Sequence, residues 1–388
     1  MKIGITCQAT VGGSGVLAAE LGFALAQRGH EVHFVTLEEP FRLGRFIPNL
    51  YTHHVETISY PLFKIPPYSI ALSSKIAEVA EEYDIQVWHS HYAMPNSVAA
   101  LVGRDMLPRE KQFCLITTLH GTDITLVGTH PSFYRATRYV MENSCAVTAV
   151  SKWLSQQTEN EFQLTQPVQT IYNFVDMDRF CDQPADRIAL AAPNEKILMH
   201  ISNFRPVKRV TDVVRVFGKV LEKMPARLIM IGDGPERLSA TGVAKQLGIQ
   251  DKIQYLGNCD NIECLLATAD LLLQPSEHES FGLVPLEAMA SEVPVIVTRS
   301  GGVTEVVRHG ESGFLCEVGD IESMALHAIK ILSDPVLAKQ MGQRGRKVAA
   351  TEFGREKIVD QYEALYEEIL ARRANMPHPE GHLPGMPK

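Results

Sequence analysis

Short runs rich in β-branched and apolar residues alternate with longer stretches of helical spacing along nearly the whole chain, and the alternation starts twice. A strand followed by a helix and then another strand builds a parallel sheet covered by helices on both faces. In the first half the candidate strands are Lys2–Thr6, Glu31–Thr36, Gln86–His89, Phe113–Leu119 and Val147–Val150. Candidate helices run from Ser14 to Arg28, stopped by Gly29, and from Ser73 to Glu82. A polar interval near Asp176–Asn194 precedes the second series: Ile197–Ile201, Arg227–Ile231, Lys252–Leu256, Leu271–Gln274, Pro294–Thr298 and Gly313–Val318. The expected class is therefore α/β with two similar Rossmann-like domains. Ligands of open parallel sheets lie beyond the carboxyl ends of the strands, which places the expected active site in the crevice between the domains.

A chain of 388 residues, 45% hydrophobic and 21% charged, has ample material for large cores. Its net charge of −8 and its lack of basic blocks exclude an electrostatic footprint for nucleic acid or a polybasic membrane anchor. No run approaches the roughly 18 apolar residues of a membrane span, and the first residues read as a strand meeting a glycine turn instead of a signal peptide. The seven cysteines, at 7, 114, 145, 181, 259, 264 and 316, are scattered and free of CxxC spacing. They read as reduced packing residues of a cytoplasmic protein, with neither disulfide nor zinc use expected.

Several loops at strand ends carry residue types suited to a phosphorylated sugar ligand. Gly12, Gly13 and Gly15 follow the first strand and open a helix, so this turn either faces an anion or is simply tight; it matches neither a P-loop nor a dinucleotide fingerprint. His120 precedes Gly121 at the end of another strand, placed either to hydrogen-bond a sugar hydroxyl or to pack. His89 and His91 share a strand face, but no third ligand at metal spacing accompanies them. Arg205 and Lys208 follow Ile197–Ile201 and are candidates for a diphosphate; Gly232, Gly234 and Gly257 follow two further strands. In Glu279-Ser-Phe-Gly-Leu-Val-Pro-Leu-Glu287 two carboxylates bracket a loop-to-helix junction. With a helix beginning near Phe281, its unpaired N–H groups are free to meet a ligand. Glu287 then sits further along the helix, suited to a ribose diol, while Glu279 remains in the loop, suited to a hexose. A capping and a solvated glutamate would give the same spacing.

Taken in order, the glycine turn at 12–15, His120, the basic loop at 205–208, Gly232-Asp-Gly234, the Glu279/Glu287 pair and Gly301-Gly302 with Glu305 resemble the retaining glycosyltransferases of family 4. The resemblance covers nearly the whole chain and implies a GT-B fold, two Rossmann-like domains facing across a cleft. It implies an acceptor-binding domain at 1–172, a nucleotide-sugar domain at 173–355, a helix at 356–372 packing back on the first domain, and a mobile tail at 373–388. Within the family, Pro40-Phe-Arg-Leu43, Tyr60-Pro-Leu-Phe63, Pro66-Pro-Tyr68, His91-Tyr-Ala93 and the stretch Thr117–Ile124 are most similar to members that move N-acetylglucosamine from UDP-N-acetylglucosamine to L-malate in bacillithiol biosynthesis.

That resemblance implies His120 and Glu279 as catalytic residues beside the transferred sugar. It further implies Gly13, Arg205, Lys208, Gly232, Phe281, Gly282, Leu283 and Glu287 around the donor, and Ser14, Tyr92 and Thr118 around malate. Ser202-Asn203 stands where many members carry Gly-Arg, which loosens the equivalence of Arg205 to the usual phosphate-binding arginine. Arg42 is a candidate for the malate carboxylates, outside the set of site residues. No metal cofactor is implied, and a homodimer is. Rival readings are a family 4 enzyme using the same donor with an inositol phosphate or lipid acceptor, a UDP-N-acetylglucosamine 2-epimerase, and a non-enzymatic nucleotide-sugar sensor.

Overall fold

A computed structural model describes residues 1–8, 13–38, 46–58, 66–180, 185–259 and 261–375. Gly12, Arg42, the segments 40–43 and 60–63, Cys181 and the proline-bearing tail from 376 onward lie outside the described residues. The chain forms two compact units, one of residues 1–118, 134–147 and 359–388, the other of residues 119–133 and 148–358.

Thirteen strands are described: β1 (Lys2–Thr6), β2 (Glu31–Thr36), β3 (Leu50–His54), β4 (Val87–His91), β5 (Cys114–Leu119), β6 (Ala146–Ala149), β7 (Val168–Thr170), β8 (Lys196–Ile201), β9 (Ala226–Ile231), β10 (Ile253–Gly257), β11 (Leu271–Gln274), β12 (Val295–Thr298) and β13 (Gly313–Cys316). They form a seven-stranded sheet of order β3-β2-β1-β4-β5-β6-β7 and a six-stranded sheet of order β10-β9-β8-β11-β12-β13. Every pairing in the second sheet is parallel, as are those of β1 with β2 and β4, of β2 with β3, and of β4 with β5. The expected strands are all present within a few residues of their expected ends. The pattern missed β3 and β7. The first is a half-exposed edge strand, Leu-Tyr-Thr-His-His, with one aliphatic residue, and the second has three residues, too few for a period to register.

Buried apolar positions explain the register of each sheet. In the first unit Ile3 and Ile5 are fully buried, and between them Gly4 leaves room for the Trp88 ring, since a Cβ there would lie 2.3 Å from Trp88 Cε3. The indole N–H then donates to Thr6 Oγ1 at 2.9 Å, so the buried polar group is satisfied. The helix Arg355–Ala374 buries Ile358, Tyr362, Leu365, Tyr366 and Ile369, an apolar stripe at helical spacing. Within the same unit the Tyr366 hydroxyl meets His89 Nδ1 at 2.7 Å, and Glu363 meets His30 Nε2, also at 2.7 Å. In the second unit Leu198, Leu228, Leu271, Leu273 and Ile296 pack with Phe204, Val213 and Phe217 into one core.

Strand order reverses between β8 and β11, so the loops leaving these neighbouring strands diverge to opposite faces of the sheet and leave a crevice at their carboxyl ends. The first sheet reverses between β1 and β4. These two places position the residues singled out above.

Candidate functional site

The loop after β8 turns through Pro206–Lys208, closed by Lys208 N–H donating to the Arg205 carbonyl at 2.8 Å. The loop after β11 is tied to it by Glu277 N–H donating to Val207 O at 2.7 Å. This tie brings Lys208 Nζ to 2.6 Å from Glu279 Oε1, in a pair whose side chains are only 16% and 14% exposed. The Ser276 hydroxyl donates to the same oxygen at 2.7 Å, and Gln274 Nε2 approaches at 3.5 Å. Burial alone would raise the Glu279 carboxyl; the Lys208 charge and the bonds from Lys208, Ser276 and Gln274 outweigh it and hold the group below the usual carboxylate range. Arg205 is not part of this cluster: its Nε donates to Asn203 Oδ1 at 3.2 Å near the surface.

Small residues fix the backbone that carries Glu279. Gly302 N–H donates to Glu279 O at 2.7 Å, and the Ser151 hydroxyl donates to Ser280 O at 2.6 Å. A Cβ at Gly302 would lie 2.1 Å from Ser280 O, and one at Gly301 2.2 Å from Glu279 O. The Thr298 hydroxyl donates to Ser276 O. On the remaining side Gly121, at φ +117°, packs so tightly that its Cβ would fall 1.6 Å from Ser280 Oγ.

That contact puts His120 in the second unit with Glu279. Asp123 shapes the turn, its Oδ1 accepting from His120 N–H at 3.1 Å and Gly121 N–H at 2.9 Å. Burial pushes the His120 imidazole down to about 3, so it is neutral through the physiological range, a hydrogen-bonding group without a charge.

The helix after Glu279 begins at Leu283, two residues later than the spacing implies, because Gly282 takes a left-handed conformation at φ +98° as its cap. The first intrahelical bond runs from Leu286 N–H to Gly282 O at 3.1 Å, and Pro285 has no N–H. The unpaired donors of this turn are thus the amides of Leu283 and Val284. The Phe281 side chain is buried against Tyr172 and Phe353, with ring centroids at 6.1 and 5.5 Å, leaving only its backbone for a ligand. Glu287 is half-buried in the second turn. Gly232 and Gly234 make room for protein: a Cβ at each would lie 1.8 Å from Ser202 O and 2.1 Å from Asn203 O.

Two supporting residues escaped the sequence reading of roles. Glu305 accepts from Lys152 and Trp153 N–H at 3.0 and 2.8 Å and from the Tyr172 hydroxyl at 3.0 Å, so it caps the helix Lys152–Phe162. Its position after Gly301-Gly302 gave the signal but not the partner, which lies some 150 residues earlier. His200, in β8, has Nδ1 2.9 Å from Leu273 O and Nε2 2.8 Å from Ser202 Oγ. A carbonyl only accepts, so Nδ1 carries the proton and Nε2 accepts from the hydroxyl. Burial pushes this imidazole down to about 4.

In the first unit Gly13 and Ser14 form the first turn of the helix Gly13–Gln27 after β1. Tyr92 follows β4 at φ +81° and donates its N–H to Thr118 O at 3.0 Å, which unites these two acceptor-side candidates at the ends of neighbouring strands. The Thr118 hydroxyl is 2.6 Å from His89 Nε2. Both His89 ring nitrogens are thereby engaged, and this histidine is a packing and hydrogen-bonding residue, stacked on His91 at 4.4 Å. Among the described residues no cluster of three or more His, Cys, Asp or Glu is placed to hold a metal ion. No helix among them is long and apolar enough to cross a membrane.

Residues 11–179 match the family model described as Glycosyltransferase Family 4, and residues 182–348 that of Glycosyl transferases group 1. The N-acetyl-alpha-D-glucosaminyl L-malate synthase of Bacillus anthracis is 46% identical over 373 residues, 95% of this chain and 97% of that protein. The 2-deoxystreptamine N-acetyl-D-glucosaminyltransferase of Niallia circulans is 29% identical over 44% of this chain and 45% of its own. Among solved structures, a glycosyltransferase from Rickettsia africae superposes with a TM-score of 0.79 at 20% identity, covering 95% of this chain and 98% of that one. HepE of Anabaena in complex with UDP-glucose gives 0.76 at 21% identity, covering 95% of this chain and 100% of that one.

Proposed function

This chain belongs to the family 4 glycosyltransferases of GT-B fold, and from that premise we propose that it moves N-acetylglucosamine from UDP-N-acetylglucosamine to the hydroxyl of L-malate with retention of configuration. The observation that carries the proposal is the near-full-length likeness to the Bacillus anthracis synthase, which extends over both units and so over donor and acceptor sides alike. In this reading Arg205, Lys208 and the amides of Leu283 and Val284 meet the diphosphate. An ammonium has three donors, and Glu279 engages Lys208 through one contact at 2.6 Å, which leaves donors for a phosphate oxygen. Glu287 receives the ribose diol. Glu279 and neutral His120 orient the hexose, and Ser14, Tyr92 and Thr118 receive malate.

The bond from the anomeric carbon to the diphosphate oxygen breaks as the malate oxygen bonds to the same face of that carbon. The malate hydroxyl proton passes to the departing phosphate oxygen, and the electron pair leaves with UDP. Fixed positive charge on Lys208 and Arg205 stabilises that leaving group, a role that a metal ion fills elsewhere. No metal requirement is proposed. Incubation of the purified protein with UDP-N-acetylglucosamine and L-malate in excess EDTA, followed by product mass, tests the reading. It expects one α-linked N-acetylglucosaminyl malate per UDP. Turnover of the UDP-sugar without malate, turnover only with another acceptor, or activity restored only by a divalent ion would each overturn a stated part of it.

A further inference from the structure

At the crevice of the second sheet, β8 and β11 stop pairing with each other before either strand ends. Their register runs through Leu198–Leu271 and Met199–Leu272, although β8 continues to Ile201 and β11 to Gln274. Over those last residues each strand keeps its outer neighbour: His200 and Ile201 pair with Met230 and Ile231 of β9, and Leu273 and Gln274 with Ile296 and Val297 of β12. A side chain bridges the gap. The fully buried His200 donates from Nδ1 to Leu273 O at 2.9 Å, and its Nε2 accepts from the Ser202 hydroxyl at 2.8 Å. Ser202 Oγ in turn accepts from Phe204 N–H at 3.3 Å. Phe204 holds a left-handed backbone, uncommon for a bulky residue, at φ +39°. Its ring is fully buried and stacked on His200 at 6.0 Å, and its carbonyl accepts from Glu236 N–H at 2.9 Å. Ser202 opens the Ser202-Asn203 pair that departs from Gly-Arg, and glycine has no hydroxyl to give.

We propose that His200 is a positioning residue for the donor diphosphate: it holds the parting ends of β8 and β11 at a fixed separation through Leu273 and Ser202, and so fixes Lys208 against Glu279. This role rests on the donor reading given above. The loop after β8 carries Lys208 and the loop after β11 carries Glu279; beyond His200 the two loops meet at the Glu277–Val207 backbone bond and at the ion pair itself, 2.6 Å long. A neutral imidazole has one donor and one acceptor, which match a carbonyl on one strand and a hydroxyl beyond the other. Burial, with the Lys208 charge beside it, keeps the ring neutral. Breaking either bond leaves a buried polar atom without a partner. The strand ends then shift to satisfy it, and Lys208 moves relative to the phosphate. His200 itself touches no substrate.

The experiment measures UDP affinity of the full chain by calorimetry, beside urea unfolding at pH 8. By bond count an asparagine amide nitrogen reaches the place of Nδ1 and a glutamine amide oxygen that of Nε2, so H200N keeps the Leu273 bond, H200Q keeps the Ser202 bond, and S202A removes the latter from the other side. Each should weaken UDP binding about 3- to 10-fold, the worth of one neutral hydrogen bond, and lower kcat/KM for the donor alike while leaving KM for L-malate unchanged. Because the effect passes through Lys208, H200N/K208M should bind UDP within about twofold of K208M alone. I331V, a core substitution on the helix Ile321–Ser333, should lower the urea midpoint without weakening UDP binding. A readout free of nucleotide is the K208M–E279Q coupling in urea, which should fall to less than half in the H200N background. The proposal fails if H200N and S202A, or H200Q, bind UDP like wild type, if the H200N and K208M losses add in full, if I331V weakens binding as much, or if the coupling survives H200N. Wild type that binds no UDP would overturn the donor reading instead, and the urea coupling alone then decides whether His200 positions Lys208.

Discussion

Replacing Lys208 with methionine removes the charge that faces Glu279 while keeping most of the side-chain volume. The pair is largely out of water, at 16% and 14% exposure, and removing one partner of a fully buried pair costs about 3–5 kcal/mol. Here the Ser276 and Gln274 bonds at 2.7 and 3.5 Å remain, so the expected loss at pH 8 is about 2–3 kcal/mol. The loss must depend on pH, and its sign follows from which influence survives. In wild type the folded-state carboxyl is depressed, so its contribution is present above the unfolded value, about 4.3, and disappears only as pH falls below it. Without Lys208, burial is the largest remaining influence and raises the folded-state value above the unfolded one. The ionised form then destabilises the fold increasingly as pH rises from about 4.3.

Urea unfolding midpoints of wild type, K208M, E279Q and the double variant at pH 5 and pH 8 read this directly. K208M should lose more at pH 8 than at pH 5, and adding E279Q should recover most of the loss, with a coupling of about 2 kcal/mol. The same substitution should lower kcat/KM for UDP-N-acetylglucosamine about 10- to 150-fold, the equivalent of one charge-assisted hydrogen bond of about 1.5–3 kcal/mol. A pH-independent K208M loss, or a double variant no more stable than K208M, would refute the account of how Glu279 is held.

Gly302→Ala should impair turnover more than a surface substitution does, because its Cβ would meet Ser280 O at 2.1 Å and displace the loop behind Glu279; steady-state kinetics beside a melting curve checks this, and full activity would show that the loop is not clamped there. Glu305→Gln should cost about 1–2 kcal/mol in denaturant unfolding, since one neutral oxygen replaces the carboxylate that accepts from Lys152 and Trp153 at 3.0 and 2.8 Å and from Tyr172. His120, held neutral by burial with a folded-state value of about 3, should show no NMR titration between pH 5 and 8; its stabilising contribution is complete above the unfolded value near 6.5 and declines as pH falls from there toward 3.

Alternation of period sufficed for most of the fold because its strands are buried on both faces and its helices bury one stripe, so each element writes its own signature. The edge strand Leu50–His54 has no such burial and left no mark. The site is a different case. Glu279 and Lys208 were both conspicuous, yet their salt bridge was not readable, because it exists only through the adjacency of β8 and β11, strands separated in sequence by β9 and β10. The glycines were visible too, and their usual association with ligand approach pointed outward. At Gly121, Gly232, Gly234, Gly301 and Gly302 the space a Cβ would fill holds protein atoms instead, the side chain of Ser280 or backbone of the loops around residues 202–203 and 279–280. Glycine next to a catalytic candidate is therefore better explained in this chain by loop-on-loop packing, which fixes the Glu279 carboxylate, than by a ligand lying on the glycine. It follows that enlarging Gly121, Gly301 or Gly302 should disturb the geometry of the acid before it blocks any binding surface, whereas enlarging Gly232 or Gly234 should displace the backbone of residues 202–204.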